Sequence, residues 1–507
     1  MAEPKTTHRT LLEKYRVVSD NIPANVAIYR IVNDLVPFYE VTLPQVGDAT
    51  KAMLGDFMEE LAAKVPVDTE GVNDPVRAAE VRKIFYHDAR EYLREKLRYT
   101  TPDELDALAG ILVHKMFGLD FLEIMMADNY LEELALNGVQ QPVAIYHKKH
   151  GWCKTDVRAT SEEQIYNFAS QVGRRSGREI NSLSPIMDAH LLSGDRVAAT
   201  LFPISTAGNT ITIRRFARNP WTPTSLIKAG AINVEIAAFI WQCIQYELSI
   251  IVAGGTASGK TSALNAICAF IPPSQRIISI EDTREIDLPK QLEWNWVPMS
   301  SRNKNPEGLG EVTMLDLMVA SLRMRPDRII VGEVRQRKQA ETMFEAMHTG
   351  HSVCATMHAD TVLQLKRRIL EPPLEIPRTE AEALHVMLVQ YRDRRRGARR
   401  MLELAEVMTG GRDDLEVHYL YRYRPRIDGF ERVYDSIRVR EELNLHTGMT
   451  DAEINDDMKE KKNVLQWMVD NDVSDIDVFG AVMHLYYTDK PKLFAVMKAK
   501  DGASTLQ

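Results

Sequence analysis

The stretch SIIVAGGTASGKTSALNAICAF, Ser249 to Phe270, decides how the chain folds. It opens on a short apolar run that reads as a buried strand and closes on a segment with helical character. Between them GGTASGKT, residues 254–261, fits GxxxxGK[ST] through Gly254, Gly259, Lys260 and Thr261. Glycines at those places let backbone N–H groups turn inward around phosphate oxygens. Lys260 then supplies a point charge to the outer phosphates, and the Thr261 hydroxyl can ligate Mg2+. By composition alone such a match arises in about one or two per cent of chains this long, and here it also stands between a strand and a helix, as the chemistry requires. Gly254, Gly255, Thr256, Ala257, Ser258, Gly259, Lys260, Thr261 and Ser262 are therefore the candidate nucleotide cradle.

Downstream, strands and helices alternate. RIISIED reads as a strand, MLDLMVASLRMR as a helix leading into the strand RIIVGE, QAETMFEAMHTG as a helix, and HSVCATM as a strand. Apolar strands without in-and-out alternation imply a parallel sheet covered on both faces, an α/β architecture. Three places on it carry chemistry. One strand ends in Glu281 and Asp282, where a carboxylate could orient or deprotonate water, or cap a turn. IIVGEVR, 329–335, ends in Glu333, with Gly332 where such strands usually carry an aspartate for Mg2+. His351 and His358 are seven apart on a strand and so on opposite faces, which argues against a shared metal. His358 could touch a γ-phosphate or be a structural strand-end histidine. Arginines that could reach phosphates are Arg335, Arg196, Arg214 and Arg215, and spacing does not choose among them. RDRRRGARR, 392–400, reads as a solvated turn between strands.

At 507 residues the chain is long enough for two to four domains. The expected divisions are an accessory N-terminal region 1–110, an α+β domain 111–219, a proline-marked linker 220–224, the α/β domain 225–410, and a mostly helical C-terminal region 411–507. With 63 basic and 71 acidic residues the formal charge is -8, which argues against nonspecific nucleic-acid binding over the whole surface. Cys153, Cys243, Cys268 and Cys354 form no CxxC pair, so neither a zinc module nor a secreted disulfide framework is expected. The N-terminus lacks a signal-like apolar core. AINVEIAAFIWQCIQYELSIIVA is interrupted by Glu235, Gln242, Gln245 and Glu247, short of a membrane span. A soluble, cytoplasmic chain is expected.

In this order, GGTASGKT, SIEDTREI, LRMRPDRIIVGEVR and TGHSVCATMHAD resemble the Walker A, Asp box, Walker B and His box of the secretion ATPase superfamily. That family drives type II and type IV secretion, type IV pili and archaeal flagella. DNYLEELALNG and SPIMDAHLLSGDRVAATLFPIS are similar to its N-terminal domain, so the resemblance spans roughly 115–410. It implies a RecA-like P-loop NTPase core preceded by an α+β domain, assembled as a homo-hexameric ring using ATP and Mg2+. It also implies that Glu281 polarises water, that Glu333 supports Mg2+ and water, and that His358 contacts the γ-phosphate region. The metal would be held by Thr261, Glu281 and Glu333, partly through water. Arg196 with Arg214 or Arg215 would reach the phosphates as the N-terminal domain closes. The expected partners are a polytopic membrane platform protein and a pilin-like or flagellin-like assembly, with peripheral membrane association through that partner. Nucleic acid is not expected. The chain lacks a tetracysteine module and an AIRNLIRE-like signature, and its wording is nearest the archaeal and conjugation branches. A DNA-transfer ATPase and an ATP-gated scaffold without turnover are the alternatives.

Overall fold

The computed structural model describes residues 9–32, 34–44, 46–47, 50, 53–58, 60, 75–97, 100–191, 194–215, 220–302, 304, 308–393, 396–410 and 415–499. The chain divides into two compact units, Met1–Arg218 with Asn305–Glu307, and Asn219–Lys304 with Gly308–Gln507. MLGDFMEELAAKV, 53–65, has the charged, apolar-spaced pattern of a helix, and its described residues, 53–58 and 60, are helical.

The first unit is built on one nine-stranded sheet. Its strands are β1 (Arg9–Ser19), β2 (Ile22–Ile31), β3 (Phe38–Thr42), β4 (Leu131–Asn137), β5 (Ala144–His147), β6 (Gly151–Thr155), β7 (Ile186–His190), β8 (Arg196–Thr200) and β9 (Thr210–Arg214). They are ordered β1-β2-β3-β6-β5-β4-β9-β8-β7. Only β3–β6 is parallel, so the N-terminal hairpin strands continue the sheet that carries β4 to β9. β1 and β2 meet at a two-residue turn in which Asp20 and Asn21 take φ of 44° and 63°. That left-handed pair matches the natural twist of a hairpin, and Asp and Asn tolerate it best among non-glycines. Buried Asp128 ties β1 and β3 down: Tyr15 and Tyr39 donate to its Oδ2 at 2.7 and 2.9 Å. The expected start at TTPDEL is the helix Pro102–Phe117, with Thr101 and Glu104 in a reciprocal capping box. The division expected near residue 110 falls inside this helix.

The second unit carries β10 (Ile250–Gly254), β11 (Ile277–Glu281), β12 (Trp296–Ser300), β13 (Arg328–Val331), β14 (Ser352–Met357), β15 (Val386–Asp393), β16 (Ala398–Val407), β17 (Val417–Arg424) and β18 (Gly429–Arg432). Their order is β12-β11-β13-β14-β10-β15-β16-β17-β18. Pairing is parallel from β12 to β15 and antiparallel beyond. Every residue of β10, β11, β13 and β14 is buried. Successive side chains feed opposite cores, Ile250 and Val252 one way, Ile251 and Ala253 the other. That is the doubly covered parallel sheet expected from the non-alternating runs.

Arg328 is fully buried inside β13. Its guanidinium donates to Gln275 Oε1 at 2.8 Å, to Ser352 Oγ at 2.5 Å and to the carbonyl of Ile244. The odd RPDR string is thus a polar pin that satisfies its own charge by hydrogen bonds. Pro223 stands at the start of a short helix, Pro223–Lys228, capped by Thr222; residues 216–219 lie outside the described residues.

The stretch after 411 reads as helical, yet the chain first adds β17 and β18 to the sheet. Alternation in VHYLYRYR is what that edge requires. Helices Arg438–Thr447, Asp451–Asp470, Ile476–Thr488 and Lys490–Lys498 follow. Asp451–Asp470 and Ile476–Thr488 pack on the apolar helix Val234–Gln245, whose Trp241 meets Tyr486 and stacks on Phe270 with ring centroids 5.3 Å apart. The most apolar stretch of the sequence is therefore core. Among the described residues no helix is long and apolar enough to cross a membrane.

Candidate functional site

The carboxyl ends of β11, β13, β14 and β10 converge, and each delivers one chemical group. At the end of β10 the backbone folds tightly: a methyl on Gly254 would stand 2.6 Å from the carbonyl of Gln390 and 2.4 Å from Ser258 Oγ. Ala257 and Gly259 then take φ of 59° and 90°. Gly259 is the N-cap of the helix Lys260–Cys268. Nothing but backbone caps that end, so its N–H groups are presented toward the loop, as anion binding requires. Lys260 Nζ donates to the carbonyl of Gly255 at 3.3 Å and lies 3.5 Å from Nδ1 of His358. Thr261 and Ser262 are half-buried on the first turn, Thr256 and Ala257 exposed at the loop's apex.

Glu281 closes β11 and is only 2% exposed. Its Oε1 accepts from the backbone N–H groups of Glu285 and Ile286, each at 2.9 Å. Its Oε2 is buried without a hydrogen-bond partner. Burial pushes the carboxyl up to about 8, against the two amides, which favour the ionised form. Gly332 leaves room for this side chain: a methyl there would meet Glu281 Cγ at 3.3 Å and its Cα and Cβ at 3.5 Å. An aspartate at 332 would collide with the carboxylate arriving from the neighbouring strand.

Glu333 follows β13. Its Oε1 lies 2.8 Å from His358 Nε2, and its Oε2 takes Nε and Nη2 of Arg335 at 2.9 and 2.5 Å. Arg335 also reaches Asp282 Oδ2 at 3.4 Å. Burial, then the Lys260 ammonium, hold the His358 imidazole below the ordinary histidine range, with Glu333 pulling it back. Nε2 of His358 thus faces the Glu333 carboxylate, whose Oε1 is buried without an aligned hydrogen-bond donor, while Nδ1 faces the Lys260 ammonium. His351 stays apart from this group, near Thr349 and the carbonyl of Ala346 at the opposite end of β14.

Thus the second unit brings together the 254–262 loop, Glu281, Glu333, Arg335 and His358. The remaining arginines lie in the first unit. Arg196 on β8 pairs with Asp188, Nε to Oδ1 at 3.0 Å and Nη2 to Oδ2 at 2.5 Å. Arg214 sits beside it on β9, opposite Glu133 of β4. Arg215 turns inward, its Nη1 donating to the carbonyls of Asp128 and Leu131. That contact fixes the entry to β4.

Sequence reading missed two neighbours of the loop. Asp360 stands behind Gly255, its Oδ1 2.5 Å from where a methyl would project. Arg399, from the arginine run assigned to a solvated turn, donates from Nε to the carbonyl of Ala257 at 3.3 Å. The run does surround a turn between β15 and β16. However, β15 lies against β10, so the first residues of β16 come back over the loop, a register that spacing alone does not reveal. Among the described residues no group of three or more His, Cys, Asp and Glu is arranged to hold a metal unaided.

A strand, glycine-rich loop and helix, with carboxylates at the ends of the adjoining parallel strands, define a P-loop NTPase core. A family model described as Type II/IV secretion system protein matches residues 182–389. An uncharacterized protein of Methanocaldococcus jannaschii is 33% identical over 395 residues, covering 76% of this chain and 71% of that one. A putative conjugal transfer protein of Mycobacterium tuberculosis is 32% identical over 319 residues, 60% of this chain and 88% of its own. Among solved structures, the ATPase DotB of Legionella pneumophila is 17% identical over 75% of this chain and 96% of its own, with a TM-score of 0.40. The chain belongs to the type II/IV secretion system protein family.

Proposed function

We propose that this chain is an ATP-hydrolysing motor, working as a homo-hexamer in the cytoplasm, that powers assembly of a type IV pilus-like or archaeal flagellum-like filament, or protein secretion. A polytopic membrane protein would anchor it, and pilin-like or flagellin-like subunits would be its cargo. The observation that carries the reading is the convergence of Lys260, His358, Glu333 and buried Glu281 around one phosphate-binding loop.

Each residue then has a physical task. The helix N-terminus and Lys260 hold the polyphosphate. His358, oriented by Glu333, extends the polar contacts to the outermost phosphate. Glu281, with one oxygen fixed by two amides and the other unpartnered, is placed to hold a water and accept its proton. A carboxyl held near 8 is mostly protonated at neutral pH, so the base is its ionised fraction, stronger than an ordinary carboxylate and growing as pH rises toward 8. Glu333, braced by Arg335, supports that water from β13.

Thr261, Glu281 and Glu333 offer an oxygen-only donor set in which two buried oxygens, Glu281 Oε2 and Glu333 Oε1, have no hydrogen-bond partner, which would fit Mg2+. When bound, that ion neutralises charge on the β- and γ-phosphates. Arg196 with Arg214, rather than Arg215, whose guanidinium is turned inward onto backbone carbonyls, is proposed to add charge to the phosphates during the working cycle. Arg196 would have to exchange Asp188 for phosphate to do so.

Phosphate release from ATP by the purified chain, followed with assembly state by analytical ultracentrifugation, tests the reading. A chain that releases no phosphate in any assembly state overturns it and favours the ATP-gated scaffold. The name carried by the mycobacterial relative supports one other reading, a DNA-transfer ATPase. Turnover stimulated by DNA would favour that reading over filament assembly.

A further inference from the structure

We propose that Arg399 is a nucleotide-binding residue that contacts the nucleoside end of the ligand, its α-phosphate and ribose, from the side of the loop opposite the carboxylates. The inference rests on the nucleotide reading above and adds to it where the ligand's other end lies.

Sheet order supplies the direction. β10 has β14, β13 and β11 on one side and β15, β16 on the other. Glu281, Glu333 and His358 all come from the first side, and Lys260 leans that way to within 3.5 Å of His358. A terminal phosphate is therefore drawn toward β14. The phosphate chain must cross the helix N-terminus, so its α-phosphate and nucleoside leave on the β15–β16 side. Arg399 stands there, with Nε on the carbonyl of Ala257 and Cδ only 3.2 Å from where a Cβ of Gly259 would project. The β15–β16 hairpin continues the sheet from β10, with one register shift between Val389 and Gln390 before Arg399 pairs with Arg392, so this position is set by core strands. Its neighbour Arg400 is committed elsewhere, in a two-point pair with Asp428 at 2.9 and 3.1 Å. A guanidinium over a phosphate-binding loop supplies charge and planar donors to an α-phosphate and a flat face to a ribose or base.

The test is displacement of a fluorescent N-methylanthraniloyl-ADP from the full-length protein by ADP, ATP and inorganic tripolyphosphate. For Arg399→Ala, ADP and ATP should each bind about tenfold more weakly, while tripolyphosphate, which keeps a phosphate in the α place but lacks the ribose and base, should lose clearly less, about threefold or under. Arg399→Lys should recover part of the loss, since charge returns without the planar fork. Unchanged nucleotide affinity in Arg399→Ala overturns the proposal. So does equal weakening of tripolyphosphate, the mark of a residue that merely braces the loop, or a loss confined to ATP, which would place Arg399 at the γ end. A wild-type chain that binds neither nucleotide overturns the underlying reading and this inference with it.

Discussion

Nε2 of His358 stands 2.8 Å from Oε1 of Glu333, and Nδ1 of the same ring lies 3.5 Å from Lys260 Nζ. One imidazole thus joins the end of β13 to the phosphate-binding loop, and Arg335 holds the far oxygen of the carboxylate. Removing the charge of Glu333 while keeping its shape should leave nucleotide affinity within a few-fold of wild type. Hydrolysis should fall by roughly 100-fold or more, the usual contribution of a positioned acid–base group. Steady-state phosphate release and nucleotide binding by Glu333→Gln check this pair of outcomes. Near-normal turnover would remove Glu333 from the reaction.

Lys260 should behave in the opposite way. It supplies charge to the outer phosphates, so Lys260→Ala is expected to weaken ATP binding by on the order of 10- to 100-fold, the value of one charge-assisted hydrogen bond lost. Calorimetric titration measures it directly. Because the ammonium also helps hold His358 below its ordinary pKa, the His358 ring should titrate at higher pH in the variant, a shift that NMR of the imidazole would read.

Gly332 supplies a steric test. A methyl at this position would lie 3.3 Å from Glu281 Cγ, tighter than ordinary contact, in a region where every strand residue is buried. Gly332→Ala should cost about 1–3 kcal/mol in folding stability. It should also slow hydrolysis, because Glu281 must shift from the two amides that fix it. Urea unfolding and phosphate release together separate the effects. Full activity with unchanged stability would show that Glu281 does not need the space.

That relationship marks where the sequence stopped being legible. The buried runs IIVAG, IISIE, RIIV and SVCATM announced a parallel sheet because strands covered on both faces have no polar side. The loop was legible because GxxxxGK[ST] is a local pattern. Glu281 was not decidable from its own neighbourhood, where a turn cap and a base read alike. What distinguishes it is a β11–β13 pairing that sets it against Gly332, and its burial, neither of which spacing encodes. Arg399 was hidden for the same reason: its contact with Ala257 spans 142 residues and follows from β15 pairing with β10. In the N-terminal hairpin VAIYRIV of β2 is strand-like on its face, whereas β1 went unread because LLEKYRVVS carries a helix-like density of charge. Its strand character comes from the Asp20–Asn21 turn and from partners far along the chain.

His147 supplies a pH dependence in the first unit. It is fully buried in the first unit, and its Nδ1 accepts from the backbone N–H groups of Lys149 and His150 at 3.1 and 3.2 Å. Both bonds require the neutral ring. Burial, then nearby His150, push its pKa from 6.5 down to about 4, with Asp128 and Glu13 pulling the other way. The unfolded chain therefore takes up this proton first as pH falls. The stabilisation is fully present above about 6.5 and is lost as pH drops toward 4, at most ~3 kcal/mol for a shift of this size. His147→Gln keeps an acceptor for the two amides and removes the titration. The stability gap between wild type and variant, measured by urea unfolding, should thus be larger at pH 7.5 than at pH 5. A gap independent of pH would mean that the His147 pKa is the same in the folded and unfolded chain, so that burial does not disfavour the charged ring.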